Sequence, residues 1–184
     1  MKEITIHIES AAPYSQSRFH NTPRLEQESH EAYEERTWRE KGHYDKDGIM
    51  YLPPMALKAC IDTAVKFRKR KGPSGGASTW TKNFVSGIMF MEPILLGVHK
   101  DDVESWGGMQ NADGKVGSGT RVFRIFPEVL QWKASTNVTI FDPAITEKIF
   151  TEVLEDAGRF IGVGRFRPQN RGFYGRFEID KIEW

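Results

Sequence analysis

The sequence predicts an α+β protein of ferredoxin-like (RRM-like) form, an antiparallel sheet with two helices on one face, expanded by long loop insertions. Three observations carry this expectation. Period-two alternation marks strands at Ile4, Ile6 and Ile8 and again from Trp132 to Ile140; apolar residues at i, i+4 spacing mark helices after Pro53 and after Asp142; and, insertions aside, the order strand, helix, strand, strand, helix, strand is the split β-α-β arrangement. A chain of 184 residues suffices for one hydrophobic core, so residues 1–184 are expected to form one domain with insertions at 10–47 and 101–120.

The first strand follows from ITIHIES, whose isoleucines face one side while Thr5, His7 and Glu9 face the other. From Ser10 to Asp47 the chain is polar. Its first part mixes Tyr14, Ser15, Ser17, Arg18, Phe19, His20 and Arg24, groups suited to phosphate and base contacts or to a solvated loop; its second part, LEQESHEAYEERTWREKGHY, reads as a short exposed helix with Glu31, Glu34 and Glu35 on a solvated face. Asp47 and Gly48 mark a turn, Ile49 to Leu52 extends, and Pro53 and Pro54 introduce a helix, since proline's missing N–H has no intrahelical partner in the first turn. Leu57, Ile61 and Val65, flanked by Cys60, Ala64 and Phe67, form its apolar stripe. Lys66 to Lys71 load its end with positive charge, which either complements the helix dipole or faces RNA.

After PSGGAS, the stretch NFVSGIMFMEPILLG reads as a buried strand, because Gly87 and Pro93 interrupt any helix. Asp101 to Thr120 is a glycine-rich hairpin or loop bearing Trp106 and Met109, which either meet a partner or pack back. The alternating strand from Trp132 to Ile140 comes next, then a helix opened by Asp142 and Pro143 and stopped by Gly158, and a last strand from Phe173 to Ile182 with Phe177 and Ile179 inward and Tyr174 and Arg176 outward.

Charge and composition exclude several functions. The net charge of +1 with 28% charged residues rules out coating nucleic acid through bulk charge, so such a partner must be met by a local basic surface. Cys60 is the single cysteine, which excludes an internal disulfide and a thiolate zinc cluster, and its place on the apolar stripe makes it core. The N-terminus lacks an apolar h-region and the run Gly87 to Val98 is broken by Glu92 and Pro93, so neither a signal nor a membrane span is expected and the location read from the chain is the cytoplasm. Scattered His20, His30 and His43 do not form a metal site, and His99 with Asp101 and Asp102 is a weak one on an acid-tolerant loop. No cofactor is expected.

The richest functional segment is AGRFIGVGRFRPQNRGFYGRFEI, residues 157–179. Gly162, Gly164, Gly172 and Gly175 free the backbone, Arg165, Arg167 and Arg171 place planar cations beside it, and Phe160, Phe166, Phe173 and Tyr174 interleave, which is the chemistry that holds a single strand by stacking and charge. A tight turn with salt-bridged arginines explains the same composition equally well. The glycine spacing fits neither the dinucleotide fingerprint nor the P-loop, which excludes nucleotide cofactors. Lying between glycines, the three arginines are expected to reach outward and to be removable at little cost in stability.

These segments carry a resemblance. ITIHIESAAPYSQSRF, then YLPPMALKACID with its Tyr51, Leu52, Pro53, Leu57 and Lys58, then the terminal GVGRFRPQNRGFYGRFEI, together resemble the RAMP superfamily of CRISPR-associated proteins. Here Pro-Met stands where Gly-Ser is common in that helix entry, and an Arg-Pro-Gln-Asn segment is added to the glycine loop. The resemblance implies a backbone-type subunit that oligomerises along a guide RNA without catalysis, with 101–120 as its protruding hairpin. It also implies partners: single-stranded RNA or single-stranded DNA, copies of the chain itself and other CRISPR-complex subunits. By position, Ser15, Ser17, Arg18 and Lys58 form one wall against the phosphates, with Gly162, Gly164, Arg165, Arg167, Arg171, Gly172 and Gly175 forming the second. Two alternatives stand beside it. One is a phage-borne single-strand binder or CRISPR antagonist; the other is a metal-independent guide-processing endoribonuclease with His20 as base, assisted by Tyr14 or Lys58.

Overall fold

Strand β1 (Lys2–Ser10) forms where the alternation is strictest, and it becomes the centre of the main sheet. The computed structural model describes residues 1–112, 117 and 119–184. The other strands in chain order are β2 (Tyr14–Ser15), β3 (Ile49–Leu52), β4 (Ile88–Met89), β5 (Ile94–His99), β6 (Glu104–Asn111), β7 (Arg121–Val129), β8 (Lys133–Ile140) and β9 (Phe177–Glu183). The α-helices are α1 (His30–Thr37), α2 (Pro54–Arg68), α3 (Thr81–Gly87) and α4 (Glu147–Asp156).

The main sheet has the order β4-β8-β1-β9 and is antiparallel at every pairing, with Ile6 opposite Thr136 and Ile182. Ile4, Ile6, Ile8, Ala134, Val138 and Ile140 line its inner face and share one core with Leu57, Ile61 and Val65 of α2 and Phe150, Val153 and Leu154 of α4. Cys60 lies in that core as expected, and burial pushes its thiol up to about 12. At the charged end of α2, Arg70 donates to Glu152 and Asp156 of α4, each at 2.6 Å, and Arg68 pairs with the same Asp156, so these two arginines tie the helices together, while Lys66 and Arg68 lie in the last turn of α2. On the outer face Thr5 hydrogen-bonds Asn137 and His7 hydrogen-bonds Ser135. Beside this sheet stand a ladder of β3 with β5 and a second sheet of order β2-β7-β6.

The architecture is thus α+β with antiparallel sheets, and several element assignments change. Residues 83–97 are not one strand: Phe84, Gly87 and Ile88 are buried while Val85 is exposed, a helical spacing that makes 81–87 a helix. Strand β7 escapes a sequence reading because Pro127 suggests a break; β2 pairs only with Glu128 and Val129, so Pro127, opposite Ser105 of β6, is tolerated just beyond the end of that short strand. The glycine-rich excursion is a hairpin that extends past 120, since β6 and β7 run from Glu104 to Val129; its positions 113–116 and 118 lie outside the described residues.

Helix α4 starts at Glu147, after a turn closed by the Ile145 N–H on the Asp142 carbonyl, and it does not stop at Gly158. It continues through a π turn at Ala157–Ile161, and Gly158 is there because a Cβ would stand 2.1 Å from the Phe177 carbonyl oxygen. The last strand begins at Phe177, and Tyr174, expected outward, is buried and donates its hydroxyl to Glu128.

Candidate nucleic-acid interface

The loop after the π turn folds by crossing strands of its own backbone over β2. The Val163 N–H donates to the Gly175 carbonyl at 2.9 Å, Gly175 N–H to Pro13 at 2.7 Å, and Arg165 N–H to Ser15 at 2.8 Å. Such contact demands glycine. Gly164 has φ +73° and a Cβ there would stand 2.4 Å from the Tyr14 ring. Gly162, Gly172 and Gly175 are likewise packed against backbone or a proline ring. Gly164 therefore closes the loop onto β2 while the other three close it on itself, and they shape the interface without forming its surface.

This closure brings the two predicted walls together, and it sorts the residues assigned to them. Ser15 is buried and meets Arg165 through its carbonyl. Ser17 and Arg18 are exposed, with Ser17 facing a cleft of about 770 Å³. Lys58 does not join them: it is 6% exposed, gives both oxygens of Asp62 hydrogen bonds of 2.6 Å, and donates to the Val85 carbonyl. Its place on the apolar side of α2 removes it from any phosphate. Arg167 turns back onto its own loop, donating to the Gly164 carbonyl and to Gln169. Tyr14 is 2% exposed, burial holds its hydroxyl well above the usual range, and Gln16 donates to it, so it is a core group. His20 stacks on Tyr33 and lies 3.4 Å from Glu40. His99 and Asp101 face each other at 3.3 Å.

Five cations line the cleft: Arg165 and Arg171 from the loop, Arg121 and Arg124 from β7, and Lys41 from the 3-10 turn Trp38–Lys41 that follows α1. Among the described residues no carboxylate lines it. Lys41, Arg121 and Arg124 escape the sequence reading, because Lys41 looks like one charge in a charged helix and the arginines lie on the unrecognised strand. Behind the wall sits Glu34, expected on a solvated face but 0% exposed. It accepts from Lys41, from Arg124 at 2.9 Å and from the Ile125 N–H at 2.8 Å. Burial alone raises its carboxyl, but those three donors outweigh it and hold the pKa below the ordinary value.

Arg165 is the centre of the wall. Its guanidinium lies 3.4 Å from the Phe126 ring centroid, with Phe166 and Trp106 within 6 Å, and it donates to Gln110 at 3.1 Å. Burial pulls its pKa down to about 10, which leaves it charged at neutral pH. Trp106, left open between partner and core, packs back onto Phe126, Phe166 and Tyr174. Arg165→Ala is therefore expected to cost stability, about 1–2 kcal/mol for a desolvated cation-π contact, contrary to the sequence expectation. Exposed Arg171→Ala should stay within about 0.5 kcal/mol. Urea denaturation of the two variants decides this, and equal stabilities would show that the aromatic contacts of Arg165 hold nothing.

No protein-family model and no curated protein matches the sequence. Solved structures do match. Crystalline Cmr6 from Pyrococcus furiosus is similar over 98% of both chains, at 14% identity and a TM-score of 0.52. A chain in the structure of the type III-B Cmr-beta bound to cognate target RNA is similar over 98% of this chain, at 12% identity and a TM-score of 0.55. The present chain spans 59% of the length of that second protein. At these identities the likeness is one of fold, shared with Cmr6 and with that chain of the type III-B Cmr-beta structure.

Proposed function

We propose that this protein binds single-stranded RNA in the cleft between the β6–β7 hairpin and the 162–175 loop, as a non-catalytic, backbone-type subunit. In this role it assembles with further copies of itself and with other subunits of a CRISPR complex. The β1-α2-β4-β8-α4-β9 unit is read as ferredoxin-like, with the hairpin and loop added at its edge. The observation that carries the proposal is the concentration of Arg121, Arg124, Arg165 and Arg171 around aromatic faces, with Lys41 buried on Glu34 behind them, in a protein of near-zero net charge. Cations beside rings retain a single strand by phosphate contact and stacking, independently of sequence. The fold shared with Cmr6 and with the chain from target-RNA-bound Cmr-beta supports the same reading.

Fluorescence anisotropy with an unstructured RNA across a salt series tests it. The logarithm of the binding constant should fall linearly with the logarithm of salt, and Arg121→Ala or Arg171→Ala should each reduce the slope by about one unit for every RNA sequence alike. Binding that ignores salt, or variants that bind like the wild type, would exclude this cleft as the strand's path.

A further inference from the structure

Resting on that reading, we infer that the centre of the cleft is a pocket for a terminal nucleotide: it takes a phosphomonoester on Arg165 and its neighbours, with the attached base against Phe166. Three independent observations converge on it.

The first is an unused donor. Arg165 spends one guanidinium nitrogen on Gln110 and its face on Phe126, yet its Nη1 is buried and has no hydrogen-bond partner among the described residues. A buried, unpaired charged donor is costly, and a bound anion would satisfy it. The second is charge. Lys41 and Arg124 share the single carboxylate of Glu34, while Arg121 spends one donor on the Met109 carbonyl and Arg171 stands exposed. The wall therefore keeps a positive excess well above one unit. An internal phosphodiester brings one negative charge, whereas a phosphomonoester brings about 1.5 to 2 at neutral pH together with three acceptor oxygens, as phosphate groups on side chains do. The third is strain. Phe166 adopts φ +59°, a conformation that bulky residues rarely accept, and there it stays 39% exposed on the cleft. Its carbonyl accepts the Tyr174 N–H at 3.0 Å, and glycine at 172 leaves room for that carbonyl. Backbone strain of this kind gathers at ligand clamps. A ring held out beside a cationic wall is the partner that a base requires. The volume of about 770 Å³ falls within the roughly 300–1,000 Å³ of pockets that enclose one small ligand.

The same chemistry is carried by the phosphorylated end of an RNA and by a free mononucleotide, and the test separates them. One unstructured RNA is prepared with a 5′-phosphate, with a 3′-phosphate and with hydroxyls at both ends, and adenosine monophosphate is used as competitor. At least one phosphate-ended RNA should bind tenfold or more tightly than the hydroxyl-ended RNA. Arg165→Gln should erase that preference, lowering affinity for the phosphate-ended RNA at least tenfold more than for the hydroxyl-ended RNA, which the other cations still hold at reduced affinity. Should Arg165→Gln fold poorly, Arg171→Ala serves in its place and should reduce the preference. Competition by the mononucleotide at concentrations similar to the phosphate-ended RNA assigns the pocket to free nucleotides; failure to compete while the end preference persists assigns it to RNA ends. Equal affinity for all three RNAs overturns this inference and leaves RNA binding intact. Loss of binding to all of them by folded wild-type protein overturns both.

Discussion

Replacing Glu34 by glutamine is expected to remove about 3–5 kcal/mol of stability, the usual result of deleting one partner from a buried ionic cluster. The glutamine keeps the shape but not the charge, so Lys41 and Arg124 are left facing each other near Arg165 with nothing to offset them. The same carboxylate takes the Ile125 N–H, so the substitution also loosens the attachment of the 10–47 insertion to β7. Urea denaturation measures the loss, and a change below about 1 kcal/mol would show that the cluster is solvated and the insertion held by other contacts. The cluster also sets a pH dependence. Because the folded carboxyl of Glu34 titrates below its ordinary value, its contribution is complete above the unfolded glutamate pKa of about 4.3 and is lost as pH falls through the folded value. The wild type should therefore lose stability faster than Glu34→Gln as pH drops below about 4.3. Glu28, held down to about 2 by Arg36, adds an acid-dependent part common to both proteins, so the difference between the two curves isolates Glu34.

Gly175→Ala is expected to have an effect of similar size, for a different reason. Gly175 has φ +69°, and a Cβ there would lie 1.8 Å from the Val163 carbonyl oxygen, in the backbone pairing that closes the loop. Left-handed geometry costs an alanine about 1–2 kcal/mol. The overlap with a fixed carbonyl adds to this by forcing the 163–175 pairing apart, and a total of roughly 4 kcal/mol or more places the change among the severe ones. Gly76→Ala is the control, since Gly76 has φ +60° and nothing within 4 Å of its Cβ position. Melting temperature and soluble yield should fall sharply for Gly175→Ala and modestly for Gly76→Ala. Equal losses would mean that the loop absorbs the overlap and that glycine is required only for its conformation. Because Pro13 accepts the Gly175 N–H, a destabilised loop also releases the segment that carries Ser15 and Ser17, and under the proposed function RNA affinity should fall with it.

Wherever one side of an element faces the core and the other faces water, its local pattern is legible. Strands β1 and β8 and helices α2 and α4 announce themselves in this way, and the antiparallel α+β class follows from their order. The two-sided environment of β7 hides it: Ile125, Phe126 and Pro127 are consecutive and all buried, so no alternation survives. Residues 81–87 are hidden because helix α3 is barely two turns long and its glycine suggests a break.

What the sequence by itself determined was the set of strongly patterned elements, the core position of Cys60, and the concentration of glycine and arginine after residue 157; its apposition to the Ser15 segment was only what the resemblance implied. Only the tertiary structure decided which cations share a surface. Lys58 and Arg167 have the same composition-level credentials as Arg165 and Arg171, yet one is spent on Asp62 in the helix layer and another on its own loop, while Lys41, Arg121 and Arg124 arrive from distant positions. The reason is physical: a side chain's periodicity reports its own burial, but the sign and partners of a charge depend on what the folded chain places within a few ångströms, and electrostatic interaction falls away within about 10 Å at ordinary salt. Glu34 shows this most plainly, a carboxylate on a charged, apparently solvated helix that the fold buries as the counter-ion of a basic wall.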